Sequence, residues 1–344
     1  MTASAVTAGA VAAGVVTVGA VAAGAVAVGG RGSRCRAAGA VTGRGAVRTP
    51  VRSSGEVGDD GRVTDAAAFS ASLPASRPRL IATDLDGTLL RDDKTVSART
   101  VAALAAAEEA GLAVVFVTGR PARWMGLVAE HVHGHGMAIC ANGAAVVDLH
   151  RGLELAEVCP LPLPDALAIV GVLHTIAPGT SFAVEFTGGF GREAAYPLHR
   201  ATGPIAPVHE LLAEDGERAG DPLLKLLAYH PTLGADEFLH AARAGAAEHG
   251  EFTRSTTSAL LEVSGRGVSK ASTLERYCTA RGIAAEEVVA FGDMPNDIEM
   301  LTWAGRSYAM ANAHPAVLAA TTDRTAGNEE DGVALVIEQL LHGL

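Results

Sequence analysis

Cysteine is too scarce in this 344-residue chain for a disulfide scaffold: Cys35, Cys140, Cys159 and Cys278 are the full set, and none has paired metal-ligand spacing. Nothing suggests export either, so reduced thiols in a cytoplasmic setting are expected. A basic excess is also missing. Lys and Arg number 27 against 38 Asp and Glu, for a net charge of −11. Residues 1–79 alone hold nine Arg against four acids, so the rest of the chain is more acidic still. Such a body argues against nucleic-acid binding.

A membrane span is lacking in everything but length. Met1 to Gly30 carries no charged residue and is long enough to cross a bilayer. Yet it contains no Leu, Ile or Phe, is rich in Gly, and lacks the basic start of a signal peptide. Large side chains are rare throughout residues 1–78, where Thr7 to Val16 is nearly repeated as Thr17 to Val26. Low-complexity sequence of this kind has little to pack with, so a disordered extension without a membrane role is expected there.

What the remainder does contain is a set of apolar runs with polar endings. Leu80 to Thr83 leads into Asp84-Leu85-Asp86-Gly87-Thr88. Residues i and i+2 of a strand point the same way, so Asp84 and Asp86 project together and repel. Such a pair is costly unless a cation neutralises it or the two acids divide the work of attacking and proton donation. Leu112 to Val117 ends at Thr118-Gly119-Arg120, and Glu287 to Phe291 ends at Gly292-Asp293-Met294-Pro295-Asn296-Asp297. Short apolar runs separated by helical stretches imply a parallel sheet covered on both faces, with ligands at the carboxyl ends of its strands. Taken singly, Thr118 could cap a helix near Pro121, and Asp293 with Asp297 could form an ordinary turn. The alternating His131, His133 and His135 read as a solvated loop rather than a metal site.

Together these motifs resemble the haloacid dehalogenase superfamily, in particular its Cof-like phosphatases. Asp84 to Thr88, Thr118, Lys270, and Asp293 with Asp297 match four motifs in order. Asn142-Gly143-Ala144, Gly267 to Lys270, and Asn328 to Ala334 match the branch. Ala271, where Gly is usual, and Met294-Pro295 depart from the pattern without removing a functional group.

The resemblance implies an α/β fold: a Rossmann-like parallel-sheet core, residues 79–145 and 265–344, with an inserted α/β cap of the C2 type at 146–264. It implies a phosphatase in which Asp84 attacks phosphorus and Asp86 serves as general acid and base, a task that calls for a raised pKa. Thr118, Gly119, Lys270 and Asn296 would contact the phosphate. Asp84, Asp293, Asp297 and the main-chain carbonyl of Asp86 would hold Mg2+.

The cap reads as strands at Ala144 to Asp148, Ser181 to Phe186, Leu223 to Tyr229 and Ala259 to Val263, alternating with helices. Glu185 and Arg192, with Glu193 and Lys225, are candidate substrate contacts beside the Gly-rich turn Gly188 to Gly191; ordinary surface charge is the competing reading. Small phosphorylated metabolites, sugar phosphates foremost, are the expected substrates. A phosphomutase or phosphotransferase would share every core residue. A sugar-phosphate sensor would have no need of a nucleophile beside a general acid.

Overall fold

The computed structural model describes residues 77–131, 136–197, 202–321 and 323–343. The N-terminal extension through residue 76, Cys35, and the His131, His133 and His135 side chains lie outside what is described.

Eight strands form the first sheet, in the order β13 (Asp323–Arg324), β12 (Arg306–Ala309), β11 (Val288–Gly292), β1 (Leu80–Thr83), β2 (Ala113–Val117), β3 (Met137–Cys140), β4 (Ala145–Asp148) and β5 (Glu154–Val158). From β13 to β3 all neighbours are parallel. Every residue of β1 and β11 is buried, as expected of strands covered on both faces. The covering helices are α1 (Ala98–Glu109), α2 (Gly126–His131), α6 (Lys270–Thr279), α7 (Ile298–Trp303), α8 (Pro315–Ala320) and α9 (Gly332–His342). Ser97 caps α1 by accepting from the Thr100 N–H, and α1 packs against α9. Ahead of α2 lies a 3-10 turn at Ala122–Trp124. Gly126, a weak helix former, sits where the two meet.

A second, five-stranded antiparallel sheet runs β7 (Gly189–Arg192), β6 (Ser181–Phe186), β8 (Leu223–Tyr229), β10 (Leu260–Ser264) and β9 (Glu251–Thr253). Its outer face packs Phe182, Val184, Leu226, Ala228 and Leu261 against α3 (Leu163–Ile176), α5 (Ala235–Ala246) and the short α4 (Val208–Leu211). Side chains alternate across a strand, so Glu185, Lys225 and Glu262 face the other way, toward the core.

The cap therefore begins later than residue 146. β4 pairs antiparallel with β3, Cys140 opposite Ala145, and β5 pairs with β4, so both belong to the core sheet. The cause is a tight reversal in which Ala141, Asn142 and Gly143 all take positive φ (52°, 56° and 105°), folding the chain back along β3. The cap sheet ends at Ser264, the last residue of β10. Among the described cysteines, Cys140 and Cys278 are buried free thiols. No helix among the described residues is long and apolar enough to cross a membrane.

Candidate active site

The loops after β1, β2 and β11 and the start of α6 meet at the carboxyl edge of the parallel strands. Lys270 opens α6 behind a capping box in which the Ser269 hydroxyl accepts from the Ser272 N–H and the Ser272 hydroxyl accepts from the Ser269 N–H. A cation at the positive end of a helix is unfavourable by itself. Two carboxylates offset it: Lys270 Nζ donates to Asp84 Oδ1 and to Asp297 Oδ1, each at 2.6 Å, with all three residues buried. Burial alone would lower the Lys270 pKa, but Asp297 and Asp84 outweigh it and keep the ammonium charged.

Asp293 completes the acidic group. Carboxylate oxygens of Asp84, Asp293 and Asp297 all lie within 4.8 Å of one another. Burial, reinforced by Asp297 and Asp293 and opposed by Lys270, raises the Asp84 pKa well above the usual carboxylate range. Burial and then Asp297 push Asp293 up to about 7. Three crowded acids against one ammonium leave an excess of negative charge, the condition that a hard cation relieves.

The loop geometry is fixed by local bonds. Thr88 Oγ1 donates to Asp293 Oδ1 at 2.8 Å, and Asp297 Oδ2 accepts from the Asp293 and Met294 N–H groups at 3.1 and 3.0 Å. Gly87 has φ +80°, and a Cβ there would fall 2.3 Å from Asp293 Oδ2, so only glycine fits.

Asp86 stands apart from this group. Arg120 Nε donates to Asp86 Oδ2 at 2.5 Å, Arg120 Nη2 to Oδ1 at 2.7 Å, and Lys94 Nζ to Oδ1 at 2.9 Å. Burial works to raise its pKa, but Arg120 and Lys94 prevail and hold the carboxyl below the usual range. This corrects the expectation of a raised value. The Asp86 side chain is also not one of the clustered carboxylates.

Above the acids is a cavity of about 440 Å³ between core and cap. Its floor includes Asp84, Asp86, Thr118, Gly119 and Arg120; Trp124, Phe190, Tyr196, Leu227 and Leu260 supply an apolar wall. Arg123 of the core pairs with Glu185 of the cap, and its guanidinium lies 5.8 Å from the Phe190 ring centre.

A family profile described as haloacid dehalogenase-like hydrolase matches residues 81–337, about three-quarters of the chain. The chain belongs to the haloacid dehalogenase-like hydrolases. It is 28% identical over 273 residues to the 5-amino-6-(5-phospho-D-ribitylamino)uracil phosphatase YitU of Bacillus subtilis (strain 168), covering 77% of this chain and 98% of that one. Pyridoxal phosphate phosphatase YbhA of Escherichia coli (strain K12) is 32% identical over 277 residues, covering 75% and 97%. The structure of a haloacid dehalogenase-like hydrolase from B. subtilis superposes with a TM-score of 0.65 at 26% identity, covering 76% of this chain and 99% of that one. With relatives named as phosphatases along nearly their whole length, this haloacid dehalogenase-like hydrolase is a phosphatase, a hydrolase of phosphate monoesters.

The structure of this hydrolase brings Asp84, Asp86, Thr118, Gly119 and Asn296 to the lining of one cavity, with Lys270, Asp293 and Asp297 grouped around Asp84. Thr118 does not cap the following turn, whose N-cap is Pro121; its hydroxyl accepts from the Arg120 N–H at 3.1 Å. Asn296 Nδ2 donates to Asn142 Oδ1 at 3.2 Å, so part of its donor capacity is spent within the protein. Glu185 lines the cavity, whereas Arg192 does not: at the end of the edge strand β7 its guanidinium donates to the Glu193 carbonyl at 3.1 Å. Glu193 is structural too, accepting from the Phe182 and Val208 N–H groups at 2.8 and 3.0 Å.

Lys94, Arg120, Arg123 and Glu262 were not anticipated from the sequence. One signal pointed to the first: the chain has only three lysines, Lys94, Lys225 and Lys270, and all three end in this site.

Proposed function

We propose that this chain is a magnesium-dependent phosphatase of small phosphorylated metabolites that works through an aspartyl-phosphate on Asp84. The observation that carries the reading is the pair of hydrogen bonds that Lys270 Nζ donates to Asp84 and Asp297, at 2.6 Å each, with Asp84 on the floor of a cavity sized for a small molecule. The oxygen-only donor set of three buried carboxylates, short of positive charge, fits magnesium. Asp84, Asp293, Asp297 and the Asp86 carbonyl would hold it, and when bound it supplies charge neutralisation for the substrate phosphate.

In this scheme a carboxylate oxygen of Asp84 bonds to phosphorus as the ester bond to the leaving oxygen breaks, and Asp86 donates the proton that oxygen needs. Asp86 then takes a proton from the water that cleaves the acyl phosphate, which restores Asp84. Lys270 and the Thr118-Gly119 loop hold phosphate oxygens throughout. An incoming phosphate competes with Asp86 for Arg120 and Lys94, which frees Asp86 to carry a proton. The docked cap excludes bulk water from the first step.

The apolar wall of Trp124, Phe190, Tyr196, Leu227 and Leu260 supports a leaving group with a flat, partly apolar ring over a plain hexose. Two of the relatives are named for ring-bearing phosphates, an aminouracil and pyridoxal phosphate. The test is phosphate release by the full chain from pyridoxal phosphate, a flavin mononucleotide, hexose phosphates and an aryl phosphate, with magnesium and with EDTA. Magnesium-dependent release favouring the ring-bearing substrates is expected. No release from any of them overturns the reading, and a preference for hexose phosphates overturns its substrate class.

A further inference from the structure

The reaction scheme makes no use of Asn142, although the chain goes to some length to place it. Ala141 and Asn142 are consecutive non-glycine residues with left-handed backbone, φ +52° and +56°, a conformation that persists only where the surroundings enforce it. Four parts of the protein do so. The Asn142 N–H donates to the Thr118 carbonyl at 3.0 Å, and the Ala141 N–H to the Arg120 carbonyl at 2.9 Å, tying the segment to the phosphate loop. Gly143 lies against the start of α6: its carbonyl accepts from Thr273 Oγ1 at 2.9 Å, and a Cβ there would fall 2.3 Å from the Ser269 carbonyl oxygen. Asn142 Oδ1 accepts from Asn296 Nδ2 at 3.2 Å, while Asn142 Nδ2 donates to Glu262 Oε2 of the cap at 2.9 Å.

Glu262 is itself half of a buried ion pair. Lys225 Nζ donates to Glu262 Oε2 at 2.5 Å and, across the gap, to the Gly119 carbonyl of the core at 2.7 Å. Both residues are about 4% exposed. A buried pair persists only when its remaining hydrogen-bonding capacity is met; here Ser255 of the cap donates to Glu262 Oε1, and the core meets the rest, Asn142 donating to Glu262 Oε2 and the Gly119 carbonyl accepting from Lys225. Lifting the cap would leave both ions without these core partners. A compact ammonium suits a contact shared between a carboxylate and a carbonyl, and this is one of only three places where the chain uses lysine against 24 arginines.

We propose that Asn142, with the Lys225–Glu262 pair, is a positioning relay through which docking of the cap sets the geometry of the phosphate loop 118–120 and of the helix start that carries Lys270. The inference rests on the phosphatase reading above and adds to it a link between cap and core that touches no reacting atom.

The test measures kcat and KM of the full chain with magnesium on 4-nitrophenyl phosphate, together with thermal midpoints, for wild type, Asn142→Gly, Glu262→Gln and the double variant. Glycine takes the left-handed backbone freely, so Asn142→Gly removes the amide and not the turn. Each single variant is expected to lose about tenfold to a hundredfold in kcat with KM changed by less than about threefold, the pattern of misplaced rather than missing groups. The thermal midpoint of Asn142→Gly is expected to stay within a few degrees of wild type, and the double variant to fall no further than the worse single one. A wild-type kcat in Asn142→Gly, or losses that multiply in the double variant, overturns the relay. Should Glu262→Gln fail to fold, Asn142→Asp sets a second carboxylate against Glu262 from the core side; it is expected to lose kcat in the same range, and a wild-type rate there overturns the relay as well. Phosphate release by wild type that disappears in Asp84→Asn tests the phosphatase reading separately. A wild type without release removes that reading, whereas an active Asn142→Gly removes only the relay.

Discussion

Arg120 grips Asp86 through two parallel hydrogen bonds, 2.5 Å from Nε to Oδ2 and 2.7 Å from Nη2 to Oδ1, at the edge of the cavity floor. The same guanidinium lines the cavity with Thr118, where a phosphate would arrive, and charge-assisted bonds of this kind contribute about 1.5–3 kcal/mol each. Arg120→Met is therefore expected to weaken competitive inhibition by inorganic phosphate by about tenfold or more. An unchanged inhibition constant would mean that Arg120 serves Asp86 alone.

Asp84→Asn removes the nucleophile while keeping its shape. Turnover is expected to fall by at least about a thousandfold. The thermal midpoint should hold or rise, because one of three mutually repelling buried acids is neutralised. Phosphate-release kinetics and a melting curve of the same sample check both parts, and a variant near the wild-type rate removes Asp84 from the mechanism.

Gly87→Ala drives a methyl group into Asp293. With φ +80° and a Cβ contact of 2.3 Å to Asp293 Oδ2, either the turn or the carboxylate must move. The magnesium concentration for half-maximal activity is expected to rise by about tenfold to a hundredfold, the usual cost of disturbing a ligand's support. Magnesium titration of activity at saturating substrate measures it.

Glu262 links acidity to stability. Burial pushes its pKa up, but the charge of Lys225 and hydrogen bonds from Lys225, Ser255 and Asn142 outweigh this and hold it below the usual range. A depressed folded-state pKa contributes stability that is present above the unfolded value of about 4.3 and is lost as pH falls through the lower folded value. Glu262→Gln is expected to cost about 3 kcal/mol at neutral pH, the lower end for breaking a buried pair. Its deficit relative to wild type should shrink below about pH 4. Urea unfolding at several pH values follows the difference, and a deficit constant between neutral and acid pH refutes the linkage.

Much of the core could be read without coordinates. β1, β2 and β11 are short apolar runs ending in Asp84, Thr118 and Asp293, because a strand buried on both faces needs apolar residues at every position and a ligand site needs polar ones where it ends. The cap strands β6 and β8 were legible as predominantly apolar runs of strand length. β4 was not. Its Ala-Val-Val-Asp sequence suits either sheet, and the assignment to the core depends on the left-handed turn at Ala141 to Gly143, which non-glycine residues do not announce.

The sequence by itself determined the chemistry on offer: two acids one residue apart after an apolar strand, a lysine at a helix start, and two further acids in a Pro-stiffened loop. Local spacing and residue type suffice for such features because each lies within a few residues of the element that aims it. Only the tertiary structure decided that Arg120 holds Asp86 ionised, that Arg192 turns away while Glu185 faces the cavity, and that Lys225 and Glu262 reach Gly119 and Asn142. Those pairings join residues 34 to 120 positions apart, on different elements and often on different sheets. Their charges become decisive only where burial removes the water that would otherwise screen them.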